Sequence, residues 1–205
     1  MARDLQPVVK RSRREGYALH PKAHKALVKR SSAPGQRGQG MYRSKASQYS
    51  LQLREKQKVK RLYGVLEKPF TKLMAEASRA KGQSGDRLLE FLERRIDNAV
   101  YRAGFAPSRQ SARQLVTHGH FKLNGRRVDV PSLRTVAGDA ITLRDGSRNS
   151  DYFKHLDELS PAPAEVPAWL KVNRKKLEIA VASVPTREDA EPDIKEQLIV
   201  EYYSR

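Results

Sequence analysis

The sequence predicts an α+β protein: a helical lobe, a small α+β domain inserted into it, and an extended basic arm at the N-terminus. Three observations lead there. Apolar residues recur at helical spacing over much of residues 47–116. An Asn-Gly pair at 124–125 separates two short β-prone runs, and a third run follows at 140–143. Ahead of them, residues 1–44 are rich in Lys and Arg and carry a Gly/Pro-rich stretch.

The elements follow in order. Ala33-Pro34-Gly35-Gln36-Arg37-Gly38-Gln39-Gly40 has no apolar side chain larger than Ala, too little to offset its ordering entropy. A short helix fits residues 22–29, with Ala23, Ala26 and Leu27 on one side. From Ser47 the pattern turns helical. Val59, Leu62, Tyr63 and Leu66 share a face, Gly64 supplies a stop, and Pro69 suits the first turn of the next helix. Residues 86–105 read as one helix, with Leu89, Leu92, Ile96 and Val100 as its stripe and Gly104 at its end. Ser108 caps a further short helix that buries Ala112, Leu115 and Val116. The hairpin and third strand complete an antiparallel sheet. Residues 145–168 read as a Pro-rich linker, re-anchored by Trp169 and Leu170. Leu177, Ile179 and Val181 alternate like a strand, and 193–202 reads as a final helix.

Charge is polarised. Of 205 residues, 41 are Lys or Arg and 23 Asp or Glu, a formal net charge of +18. Residues 1–60 hold 16 cations and 3 acids, 61–150 hold 17 and 9, and 151–205 hold 8 and 11. Such a distribution points to a polyanion, nucleic acid before an anionic membrane. The acidic end is expected to face solvent, a protein partner or the chain's own cations. No run has the ~18 apolar residues of a spanning helix, and the N-terminal residues do not resemble a signal peptide. The absence of cysteine excludes disulfides, thiol nucleophiles and thiolate-bound zinc, and fits a reducing cytoplasm.

Catalytic constellations are weak. His20 and His24 stand four apart without further ligands beside them, so a solvated arm is expected rather than a metal site. Glu90, Glu93 and Asp97 interleave with Arg87, Arg94 and Arg95, which predicts surface pairs rather than acid–base work. Asp97-Asn98 is expected to bond to the neighbouring turn. No cofactor and no catalytic residue is expected.

The cations make a stronger case. Arg109 and Arg113 share a helix face, while Lys122, Arg126 and Arg127 surround the hairpin turn; together they could line one concave surface. Arg54, Lys56, Lys58, Lys60 and Arg61 form a second basic surface, and Arg11, Arg13, Arg14 and Arg37 mark the arm. Arg94 joins the candidate set. His118 and His120, beside a helix end, fit either a dipole interaction or a phosphate contact. Several short basic surfaces without a long recognition helix suit folded RNA better than DNA.

The stretch Leu92-Glu93-Arg94-Arg95-Ile96-Asp97-Asn98-Ala99-Val100-Tyr101-Arg102-Ala103-Gly104-Phe105, with Ser108-Arg109, Ala112-Arg113-Gln114-Leu115-Val116 and Asn124-Gly125, resembles the S-four RNA-binding domain. That domain also occurs in pseudouridine synthases and tyrosyl-tRNA synthetases. The flanks Ser12-Arg13-Arg14-Glu15-Gly16, Leu53-Arg54-Glu55-Lys56-Gln57-Lys58-Val59, Leu62-Tyr63-Gly64 and Glu196-Gln197-Leu198-Ile199-Val200-Glu201-Tyr202-Tyr203-Ser204-Arg205 resemble the bacterial small-subunit ribosomal protein S-four family, over nearly the whole chain.

The resemblance implies a primary binder of small-subunit ribosomal RNA that organises a multi-helix junction, nucleates assembly of the subunit body and contributes to translational accuracy. It also implies ribosomal protein S-five and other small-subunit proteins as neighbours, with mRNA passing nearby. Some members repress their own operon. Two departures stand out: members with arm cysteines bind zinc, which is not carried over here, and Pro69 replaces an expected polar residue. The implied organisation is an arm at 1–44, a helical lobe at 45–90 completed by 152–205, and an RNA-binding domain at 91–151. The rivals are the RNA-binding module of an RNA-modifying enzyme and a non-ribosomal RNA chaperone.

Overall fold

The structure is a computed structural model and describes residues 4–35 and 46–204. In chain order, helices α1 (Val8–Glu15), α2 (Ala23–Lys29), α3 (Gln48–Leu62), α4 (Glu67–Arg79), α5 (Ser84–Glu93), α6 (Ile96–Arg102) and α7 (Arg109–Thr117) come first. Strands β1 (Phe121–Leu123), β2 (Arg126–Val128) and β3 (Ala140–Leu143) follow, then the short turns α8 (Asp145–Arg148), α9 (Asp151–Lys154) and α10 (Leu156–Leu159). Strands β4 (Leu170–Asn173) and β5 (Glu178–Val181) precede the last helix, α11 (Glu196–Tyr203). The chain divides into two compact units, Met1–Leu88 with Asp193–Arg205, and Leu89–Pro192.

The first unit is helical. Ser47 starts α3 by accepting the Ser50 amide at 3.2 Å. The helix stops where Gly64 turns left-handed at φ 63° and the Val65 amide reaches back to the Lys60 carbonyl at 2.9 Å. Val59, Leu62, Phe70, Met74, Ala77, Ile194 and Ile199 are buried. Leu198-Ile199-Val200, readable locally as strand, is helical, and α11 packs on α3.

The second unit is a five-stranded antiparallel sheet in the order β2-β1-β3-β5-β4, with α6 and α7 contributing to its core. Phe121, Ile141, Leu143 and Ile179 face that core, together with Ile96, Val100, Leu115, Val116, Phe105 and Trp169. Asn124 at φ 50° and Gly125 at φ 80° form the predicted hairpin turn.

Four expectations are corrected. The described part of the arm is not extended: it forms α1 and α2, and Ser12 and Ala23 are buried. Buried Glu15 draws α1 to α3 by pairing with Arg54 and Arg61. Residues 86–105 are not one helix. Arg95 is extended at ψ 136° and bridges to Arg134, while the Arg94 carbonyl accepts the Thr135 amide at 2.8 Å. The Asn98 side chain covers the freed Glu93 carbonyl at 3.0 Å. Residues 145–168 are not a plain linker, because Phe153 and Leu156 are anchored in the core. Finally, residues 152–205 do not go together to the helical lobe. Strand β5 hydrogen-bonds β3, which keeps the chain through Pro192 in the second unit, and only 193–205 joins the first.

Candidate nucleic-acid interface

Strand register sets the hairpin cations. Lys122 stands opposite Arg127 and next to Thr142, so all three share the solvent face, while Phe121 and Leu143 face inward. Arg126 and Arg127 are exposed and have no carboxylate partner among the described residues. Arg127 lies directly over Gly119, where an added Cβ would stand 2.5 Å from its Nε. Gly119 is left-handed at φ 70°, the conformation that calls for glycine here. The Arg127 side chain thus lies beside the end of α7. Lys122 bonds exposed Asp145 at 2.7 Å, and that hydrogen bond holds the Asp145 carboxyl below its ordinary range.

Arg109 and Arg113 point toward α6 as well as outward. Arg109 donates to Asn98 Oδ1 at 3.0 Å and to Glu191 at 2.9 Å, and stacks over Tyr101 at 4.6 Å. Arg113 is 4.0 Å from Asp97, itself paired with buried Arg95 at 2.7 Å. With Arg109, Arg113 and Thr117 four residues apart and Arg127 at the helix end, the cations form a track along α7, which nine residues make about 13 Å long.

The acids beside this track are not surface pairs. Glu93 is 0% exposed, receives Arg102 at 2.8 Å and Asn98 at 2.7 Å, and fixes the α5–α6 break. Arg94 bonds Glu90 at 2.9 Å and the Thr135 carbonyl at 2.9 Å. His118 is exposed, whereas His120 is half-buried, 3.0 Å from Ser147 Oγ and edge-on to Phe153. Burial, reinforced by His118 and Arg144, pushes the His120 imidazole below its usual value. It packs between Ser147 and Phe153.

In the first unit, the α3 cations are largely answered by acids. Lys56 is only 4% exposed, bonds Glu67 at 2.7 Å and sits 4.3 Å from the Tyr202 ring centre. Its charge is committed inside the lobe, contrary to the basic-surface expectation. Lys60 also bonds Glu67 at 2.7 Å, Lys58 bonds Glu55 at 2.7 Å, and Arg54 and Arg61 share Glu15. Arg11 pairs with Asp4, Arg13 donates to the Ser32 carbonyl at 3.0 Å, and Arg14 is exposed. Arg37 lies outside the described residues.

One basic cluster escaped the sequence reading. The β4–β5 turn exposes Lys175 and Lys176, and Arg148 donates to the Lys176 carbonyl at 3.3 Å. The signal was Arg174-Lys175-Lys176 between two alternating apolar runs; the acidic balance of residues 151–205 masked it.

Among the described residues no cluster of three or more His, Asp or Glu could hold a metal, and no helix is long and apolar enough to cross a membrane. Residues 3–93 match the family described as ribosomal protein S4/S9 N-terminal domain, and residues 94–141 match the S4 domain. The chain is 51% identical to the small ribosomal subunit protein uS4 of Clostridioides difficile, over all of both chains. It is 50% identical to those of Chlorobium luteolum and Chloroflexus aurantiacus, again over the full length of each.

The chain belongs to the uS4 family. The family's S4 domain match begins at Arg94, where α5 breaks, and ends at Ile141 in the third strand. Strands β4 and β5 extend that domain's sheet beyond the matched residues.

Proposed function

We propose that this protein is a non-catalytic component of the small ribosomal subunit that binds its ribosomal RNA. The observation that carries the reading is the pair Arg126 and Arg127, exposed without carboxylate partners on a hairpin whose Arg127 lies beside the end of α7, in a chain of the uS4 family. Arginine forks in a fixed frame grip phosphate oxygens, and cations on separate elements can hold several RNA helices at once. In this reading the protein gathers a multi-helix junction and nucleates assembly of the subunit body. It neighbours ribosomal protein S-five and other small-subunit proteins, lies near the path of mRNA, contributes to translational accuracy and works in the cytoplasm.

Footprinting on naked small-subunit ribosomal RNA, repeated across salt concentrations, tests this. About ten engaged phosphates give a slope of log affinity against log salt of about −7 to −9. Equal affinity for unrelated RNA would overturn the reading. The rival of an RNA-modifying enzyme would instead show uridine isomerisation, and the rival of a chaperone would show loss from small subunits in a high-salt wash.

A further inference from the structure

The second unit holds an open groove of about 670 Å³ between the end of α6, the Pro-rich stretch 161–168 and residues 188–192. That volume is within the range of ligand clefts. Its chemistry is opposite to that of the α7 track. Tyr101, Pro163 and Val166 give it apolar walls, and Val166 is 39% exposed. Pro161, Pro163 and Pro167 add ring surface and no N–H donors.

Four acids line the groove, Glu165, Glu188, Asp189 and Glu191, against one cation, Arg102. Arg102 is already held by Glu93 at 2.8 Å and Glu191 at 3.5 Å. Asp189 is committed to the Thr186 amide at 2.7 Å in a capping box. Glu165 and Glu188 are exposed and have no cation within ion-pair distance among the described residues. The shape is built into the backbone. Gly104 is left-handed at φ 76°, and a Cβ there would meet Pro163 Cδ at 2.3 Å. Arg174 clamps the same corner, donating to the Gly104 carbonyl and the Ser160 carbonyl, each at 2.8 Å.

We propose that this groove docks an extended Lys/Arg-rich peptide segment of a neighbouring small-subunit protein, its cations on Glu165 and Glu188 and its smaller side chains against Tyr101 and Val166. This rests on membership of the small subunit as proposed above. Charge complementarity decides the occupant. Two unanswered carboxylates repel phosphate, so this groove favours a basic peptide over RNA. Pre-formed Pro-rich walls suit an extended partner, which makes no new fold on binding.

The test uses the full-length protein with a benzophenone amino acid at position 166, or at 188 as a second probe, reconstituted with purified small-subunit RNA and proteins. Uptake into the particle is measured first, and its failure counts against the proposed function itself. In assembled particles, mass spectrometry is expected to find a crosslink to a Lys/Arg-rich segment of one protein. Glu165→Lys with Glu188→Lys is expected to lower its yield about tenfold while the RNA footprint stays unchanged. Crosslinks to RNA or to a second copy of this chain, no crosslink, or a yield indifferent to charge reversal would each overturn the groove assignment while leaving the proposed function intact.

Discussion

Helix α3 and the β1–β2 hairpin are both dense in cations, yet they use them in opposite ways. Along α3, Arg54, Lys56, Lys58, Lys60 and Arg61 meet Glu15, Glu55 and Glu67, and two of those acids arrive from other elements. On the hairpin, Arg126 and Arg127 meet no acid among the described residues and are exposed. Equal charge in the sequence therefore has unequal meaning. Along α3 the charge holds helices together; at Arg126 and Arg127 it remains available to an outside anion.

The sharpest way to break this comparison is the hairpin. Arg126→Ala with Arg127→Ala is expected to lower affinity for small-subunit ribosomal RNA about 100-fold and flatten the salt slope by about 1.5. The melting temperature should stay almost unchanged, since exposed substitutions cost about 0.5 kcal/mol or less. Filter binding across salt, with a thermal melt, measures both; unaltered affinity rejects the hairpin as a contact.

Lys56→Ala sharpens the contrast from the other side. It removes the bond to Glu67 and the cation over Tyr202, at a cost of about 1–2 kcal/mol. Calorimetry should show the first unit melting several degrees earlier, about 4–8 °C per kcal/mol for a unit of this size. RNA affinity should change little by comparison. A loss as large as the hairpin variant's would show that Lys56 faces RNA after all.

The smallest effect is in acid. Burial alone would raise the Glu67 carboxyl, but hydrogen bonds from Lys56 and Lys60 outweigh it and hold it down to about 2. A carboxylate depressed in the folded state adds stability above its unfolded value near ~4.3, and loses it as pH falls toward the folded one. Because Glu67 is half exposed, its share is about 1 kcal/mol at most. Melting curves of wild type and Glu67→Gln should therefore converge as pH drops from about 4.3 toward 2. Parallel curves over that range would remove Glu67 from the account.

The same contrast marks what could be read in advance. Helix periodicity located α3, α4 and α7, because their burial stripes are local. The Asn-Gly turn located the hairpin for the same reason. The break at Arg95 was hidden, because the carbonyl it frees is answered by Thr135, forty-one residues from Arg94. Strands β4 and β5 are only four residues long each, and their place beside β3 depends on a pairing partner far back in the chain.

The sequence by itself determined the elements with strong local patterns, the polarity of charge and the family, since each is carried by residues close together or by identity along the whole chain. Tertiary structure alone decided which cations remain available. An arginine is neutralised by whichever carboxylate the fold brings within reach, and Glu15, Glu67 and Glu191 reach their partners across 7 to 89 residues of chain.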